Sequence, residues 1–146
     1  MSIDYEKFTL SLKQLELQFE NYRNAAQRSG LTKLDIDGIG ESVIHRFETC
    51  YDCLWKILKR YLIEELGLAD LSNSPKPILR LAAENKLLSS PLEQWLKYAD
   101  ARTSTAHDYS QKKAHACLLL MADFIDDAIG LYQTMTQQKW VHTART

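Results

Sequence analysis

The run Arg102-Thr103-Ser104-Thr105-Ala106-His107-Asp108-Tyr109 gathers three chemically active side chains into eight residues. Arginine is a permanently charged planar fork that fits phosphate, histidine gains and loses its proton near neutral pH, and tyrosine offers a hydroxyl open to modification. Those types point to phosphodiester chemistry. A histidine with an ordinary pKa of about 6.5 can take the proton of a ribose 2′-hydroxyl or supply one to a departing 5′-oxygen, work worth roughly 10²–10⁴-fold in rate. The arginine can neutralise the charge that builds on the phosphate. Neither role needs a metal. No convincing cluster of carboxylates, histidines or cysteines stands at ligand spacing, so no metal and no other cofactor is expected.

Spacing constrains how these residues could cooperate. On a helix of about 3.6 residues per turn, the five-residue step from Arg102 to His107 turns the chain by roughly 140°, so the two do not share a face. Arg102 and Tyr109 nearly do. Three arrangements reunite the arginine and histidine: a long side chain reaching round, a helix that loosens near Thr105–Asp108, or a second copy across a twofold axis. The last predicts a homodimer with a composite cleft.

The elements that must position this run are all helical. Residues at about 4–29 place Phe8, Leu12, Leu15, Phe19, Tyr22 and Ala26 at steps of three and four, and Gly30 stops the helix. Residues at about 37–66 carry the strongest signal. Ile39, Val43, Phe47, Cys50, Leu54, Leu58 and Tyr61 form one side, and Ile44, Tyr51, Trp55 and Leu62 widen the stripe beyond what one neighbour needs, which makes this helix central to a bundle or shared with a second subunit. Gly67 ends it. After the loop LADLSNSPKP comes a short helix around Pro75–Leu87. Ser90, Pro91 and Glu93 then read as an N-cap, a first-turn proline and an acidic third position, opening a helix that runs to the His107 region. Ser110 restarts a final helix at about 111–138. The expected fold is all-α: an up-and-down four-helix bundle with one short extra helix, a single domain over residues 1–140 and a frayed tail over 141–146.

Composition sets outer bounds. The 146 residues fit one domain, and 45% hydrophobic with 25% charged residues is ordinary for a globular chain. A formal net charge of −1 excludes binding of nucleic acid by bulk electrostatics, so any nucleotide must be gripped locally. No apolar run approaches the ~20 residues that span a bilayer, and the acidic start MSIDYEKFTL is unlike a signal peptide. A cytoplasmic protein with no membrane association is expected. Cys50 and Cys53 stand one turn apart within an apolar stripe and read as buried thiols rather than a redox pair, while His45 and His115 lack ligand partners. Lys56, Lys59 and Arg60 form a basic turn able to receive RNA or an acidic partner. Trp55, Trp95, Tyr51 and Tyr98 read as packing.

The Arg-x-x-x-x-His pattern after WLKYAD, together with the Phe-Glu and Tyr…Trp-Lys…Leu-Lys pattern of IHRFETCYDCLWKILKRYL, resembles HEPN domains, specifically their nucleotidyltransferase substrate-binding branch. The resemblance spans nearly the whole chain. It implies a small dimeric bundle paired with a minimal nucleotidyltransferase, many such pairs being toxin and antitoxin. Arg102 and His107 would then be the catalytic pair of a metal-independent endoribonuclease toxin acting on RNA. Tyr109 would be the tyrosine that the cognate nucleotidyltransferase adenylylates, placing bulk and negative charge beside the cleft. Many relatives carry asparagine after the arginine; Thr103 stands there in this chain and can support by hydrogen bonding but cannot present an amide.

A different class of function uses the same residues without turnover. In it the chain is a non-catalytic nucleotide- or substrate-binding subunit that completes the nucleotidyltransferase, with Arg102 binding phosphate and His107 orienting it.

Overall fold

The computed structural model describes residues 3–107 and 110–142, without the side chains of residues 106 and 107. Among the described residues five helices follow in order: α1 Glu6–Ala25, α2 Lys33–Glu64, α3 Pro75–Glu84, α4 Leu92–His107 and α5 Gln111–Thr136. Among the described residues there is no strand, and no helix is long and apolar enough to cross a membrane.

Local chemistry explains the boundaries, including those that differ from expectation. The first helix ends at Ala25 rather than near residue 29, and two short turns, Gln27 N–H to Asn24 and Arg28 N–H to Ala25, lead to Gly30 at φ 89°. The second begins at Lys33, four residues before the expected 37. Thr32 and Asp35 make a reciprocal capping box: Asp35 N–H donates to Thr32 Oγ1 at 3.1 Å and Thr32 N–H to Asp35 Oδ2 at 2.9 Å. Gly67, at φ 69°, closes the other end through its N–H to the Ile63 carbonyl. α3 stops at Glu84, with Lys86 at φ 59° turning the chain out. Ser90 does not cap α4 as expected. Its hydroxyl donates instead to Asp127 Oδ1 at 2.5 Å, and the Pro91 carbonyl receives the Gln94 N–H at 3.0 Å to start the helix.

The long helices run alternately up and down. The end of α1 meets the starts of α2 and α5 where Tyr22, Gly40 and Leu118 converge, whereas Phe8 near the start of α1 faces Tyr132 near the end of α5. Gly40 permits the first approach, since a Cβ there would lie 3.2 Å from both Tyr22 and Leu118. Helix α2, about 48 Å long, touches all four others and buries Val43, Phe47, Cys50, Leu54 and Leu58. An aromatic relay ties the centre together: Phe47 of α2 meets Phe124 of α5 edge-on at 4.9 Å, Phe124 meets Tyr98 of α4 at 5.1 Å, and Tyr98 meets Trp95 at 5.4 Å. Beyond α5, Gln137 adopts φ 58° and turns the chain back, so that buried Trp140 packs edge-on against Tyr132 and donates to Glu16 of α1 at 3.3 Å.

Candidate functional site

Arg102 lies on the α4 face turned toward α2, and the packing of those helices brings it to two carboxylates one helical turn apart. Its Nε and Nη2 form a fork onto Asp52, to Oδ1 at 3.3 Å and Oδ2 at 3.1 Å, while Nη1 reaches Glu48 Oε2 at 3.4 Å. Thr105, three residues further along α4 and buried, donates to the same Glu48 oxygen at 2.8 Å. Glu48 therefore fastens two consecutive turns of α4 to α2.

Electrostatics follow from this placement. The hydrogen bond to Asp52 outweighs partial burial and raises the Arg102 pKa, so the side chain remains a cation whose charge is balanced locally. Tyr51, beside Asp52 on α2, has its phenol pushed up by burial and by that carboxylate, against the pull of Arg102. Its hydroxyl is buried without a hydrogen-bond partner among the described residues. Burial and then Glu48 raise the Cys117 thiol to about 12.

The other sequence candidates fall differently. Thr103 is exposed, and its hydroxyl donates back to the Ala99 carbonyl at 3.2 Å. His107 is the last residue of α4, and the backbone stays helical up to it, so the angular offset of roughly 140° from Arg102 persists along the helix. Tyr109 lies outside the described residues. Cys50 is buried, with its thiol pushed up to about 12, and Cys53 is half-buried; both are free. Among the described residues no group of histidine, cysteine, aspartate or glutamate is arranged to hold a metal ion.

A further polar centre lies outside the residues that the sequence singles out. Asp127, buried on α5, accepts hydrogen bonds from Ser89, Ser90 and Tyr98 and so anchors the α3–α4 connection to the core. Its signal was present: Asp127 falls on the apolar face between Phe124 and Leu131, where an unpartnered carboxylate could not stay.

Comparison with known proteins adds family context to this geometry. Residues 3–137 match the family model described as nucleotidyltransferase substrate binding protein like. A Haemophilus influenzae protein, whose structure is described as revealing the fold of a substrate binding domain of a nucleotidyltransferase, superposes with a TM-score of 0.81. It is 24% identical, over 92% of this chain and 100% of that one. A Thermus thermophilus protein of known crystal structure is 26% identical, with a TM-score of 0.65 over 84% of this chain and 98% of its own. No curated protein matches significantly.

Proposed function

The chain belongs to the nucleotidyltransferase substrate binding protein-like family, and from that premise we propose that it is the non-catalytic nucleotide- or substrate-binding subunit of a two-component nucleotidyltransferase. The observation that carries this reading is the engagement of Arg102 by Asp52 and Glu48. A guanidinium spanned by two carboxylates has little uncompensated charge with which to stabilise charge developing on a reacting phosphate, although each partly exposed pair is of small worth by itself. Such an arginine suits holding a phosphate rather than driving its reaction, at the end of α4 that a cognate minimal nucleotidyltransferase would meet.

A second reading is a metal-independent endoribonuclease toxin. It is favoured by the placement of Arg102 and His107 on the closing turns of one helix. In this reading two copies form a composite cleft, Arg102 leaves its carboxylates to meet an RNA phosphate, His107 transfers the proton, Thr103 supports by hydrogen bonding, and the partner nucleotidyltransferase silences the pair by adenylylating Tyr109.

Reconstitution separates the two. The subunit reading expects nucleotide transfer by the partner to require this chain, with no RNA cleavage by the chain in chelator. Cleavage lost in both Arg102→Ala and His107→Ala while the oligomer persists would transfer the assignment to the second reading.

A further inference from the structure

Two adjoining hollows run along the seam of α1 and α2 and meet at Thr49; the larger borders the α4 seam through Asp52. The larger, of about 430 Å³, falls within the size range of small-ligand sites. Its floor is apolar, formed by buried Phe8 and Ile57, and its rim carries Lys7 from α1 with Lys56 and Arg60 from α2. Neither lysine meets a carboxylate within 4 Å among the described residues; Lys56 only overlies the Trp55 ring at 5.8 Å. Arg60 holds Glu64 in an exposed pair one turn away, a contact of small worth that an anion can replace. Two acids share the hollow. Asp52 is paired with Arg102, so among the described residues Asp4 is the acid of this lining without a cation partner, beside Lys7, Lys56 and the Glu64-paired Arg60.

The smaller hollow supplies an independent sign. Arg46 lines it together with His45 and Ser11, and Arg46 Nε is buried without any hydrogen-bond partner among the described residues. A buried guanidinium donor left unmatched is costly unless an acceptor arrives. Two helices thus contribute an apolar floor, converging cations and an unfilled donor to one groove.

We propose that the α1–α2 groove binds the phosphate groups of a nucleoside triphosphate, with Lys7, Lys56 and Arg60 on the phosphates and the nucleoside against Phe8 and Ile57. This site rests on the nucleotide-binding reading above and adds to it a groove that adjoins the Arg102 seam at Asp52. The basic turn of α2 divides accordingly. Lys59 points elsewhere, donating to Asn73 at 3.3 Å, so only Lys56 and Arg60 serve the groove.

The test is titration calorimetry on the full chain with ATP, inorganic triphosphate, adenosine and a short single-stranded RNA. ATP and triphosphate should bind and compete, adenosine should bind at least about tenfold more weakly, and Lys7→Gln/Lys56→Gln should weaken ATP by about tenfold or more, as expected for lost charge-assisted bonds. Lys59→Gln, which removes one charge from the same helix as Lys56, should leave ATP affinity within about twofold, whereas Arg102→Ala, which frees the Asp52 carboxylate in the lining, should weaken it. Circular dichroism checks that each variant is folded. Equal loss in Lys59→Gln, retained affinity in the double variant, RNA binding without ATP binding, or no ATP binding at low salt would each overturn the site. Because the titration uses the chain alone, its failure is distinct from failure of the partner-dependent transfer assay.

Discussion

Arg102 and Asp52, fifty residues apart, meet through two parallel hydrogen bonds of 3.3 and 3.1 Å that join α4 to α2. The fork is geometrically specific, yet Asp52 is partly solvated, so its worth is set by screening as much as by shape. Replacing Asp52 by alanine should cost about 1 kcal/mol in urea unfolding. A double-mutant cycle with Arg102→Ala should return a coupling of roughly 0.5–1 kcal/mol. Additive effects would show that the two do not interact in solution.

Glu48 carries a different duty. Because it holds both Arg102 and Thr105, Glu48→Ala should loosen the last turns of α4 while sparing its start. Amide exchange is the readout: protection should fall over residues 102–107 and remain over residues 95–99. Uniform loss along the helix would contradict a local clasp.

The sequence carries the helical periodicity clearly, and the five elements follow it. What it hides is long-range. Glu48 and Asp52 stand one turn apart beside the apolar stripe of Phe47, Cys50 and Tyr51, a pattern indistinguishable from a solvated edge until α4 packs there and delivers Arg102. Ser90 follows the same rule, since its sequence neighbours suggest a cap while a carboxylate thirty-seven residues on captures the hydroxyl. The expected start of α2 near 37 already contains Gly38 and Gly40; what sets the earlier start is the capping box of Thr32 and Asp35, while Gly40 serves close packing.

The Asp127 centre is a stability determinant. Asp127→Ala removes the acceptor of Tyr98, whose phenol burial and that carboxylate push up, and strands its hydroxyl in the core. The expected loss is about 2–3 kcal/mol by denaturant unfolding, with Asp127→Asn milder because an amide oxygen still accepts. A loss below about 0.5 kcal/mol for the alanine variant would argue against a buried, satisfied network.

Alkaline stability follows from the thiols. Burial raises Cys50 and Cys117 from 9.0 to about 12, so the unfolded chain releases these protons first. Their stabilisation is complete below pH 9 and is lost as pH rises toward 12, with a limiting slope of about 1.4 kcal/mol per pH unit for each thiol. Tyr5, raised from 10.0 to about 12, adds to the decline above pH 10. Cys50→Ala should flatten the slope between pH 9 and 10, whatever it does to the absolute stability; an unchanged slope would refute the assignment.

Trp140 fastens the segment after α5 onto α1. Trp140→Ala should lower stability by about 3 kcal/mol, since the indole is buried against Tyr132 and hydrogen-bonded to Glu16. Thermal unfolding with near-ultraviolet dichroism measures both the loss and the disappearance of the aromatic contact.

Under the proposed function this chain binds for a partner enzyme rather than cutting RNA itself. The direct measurement is nucleotide transfer by the cognate nucleotidyltransferase with and without the purified chain, run beside an RNA cleavage assay in chelator. Transfer that depends on the chain, with intact RNA, is the predicted result. Metal-independent RNA cleavage by the chain, abolished by Arg102→Ala and by His107→Ala, would contradict it.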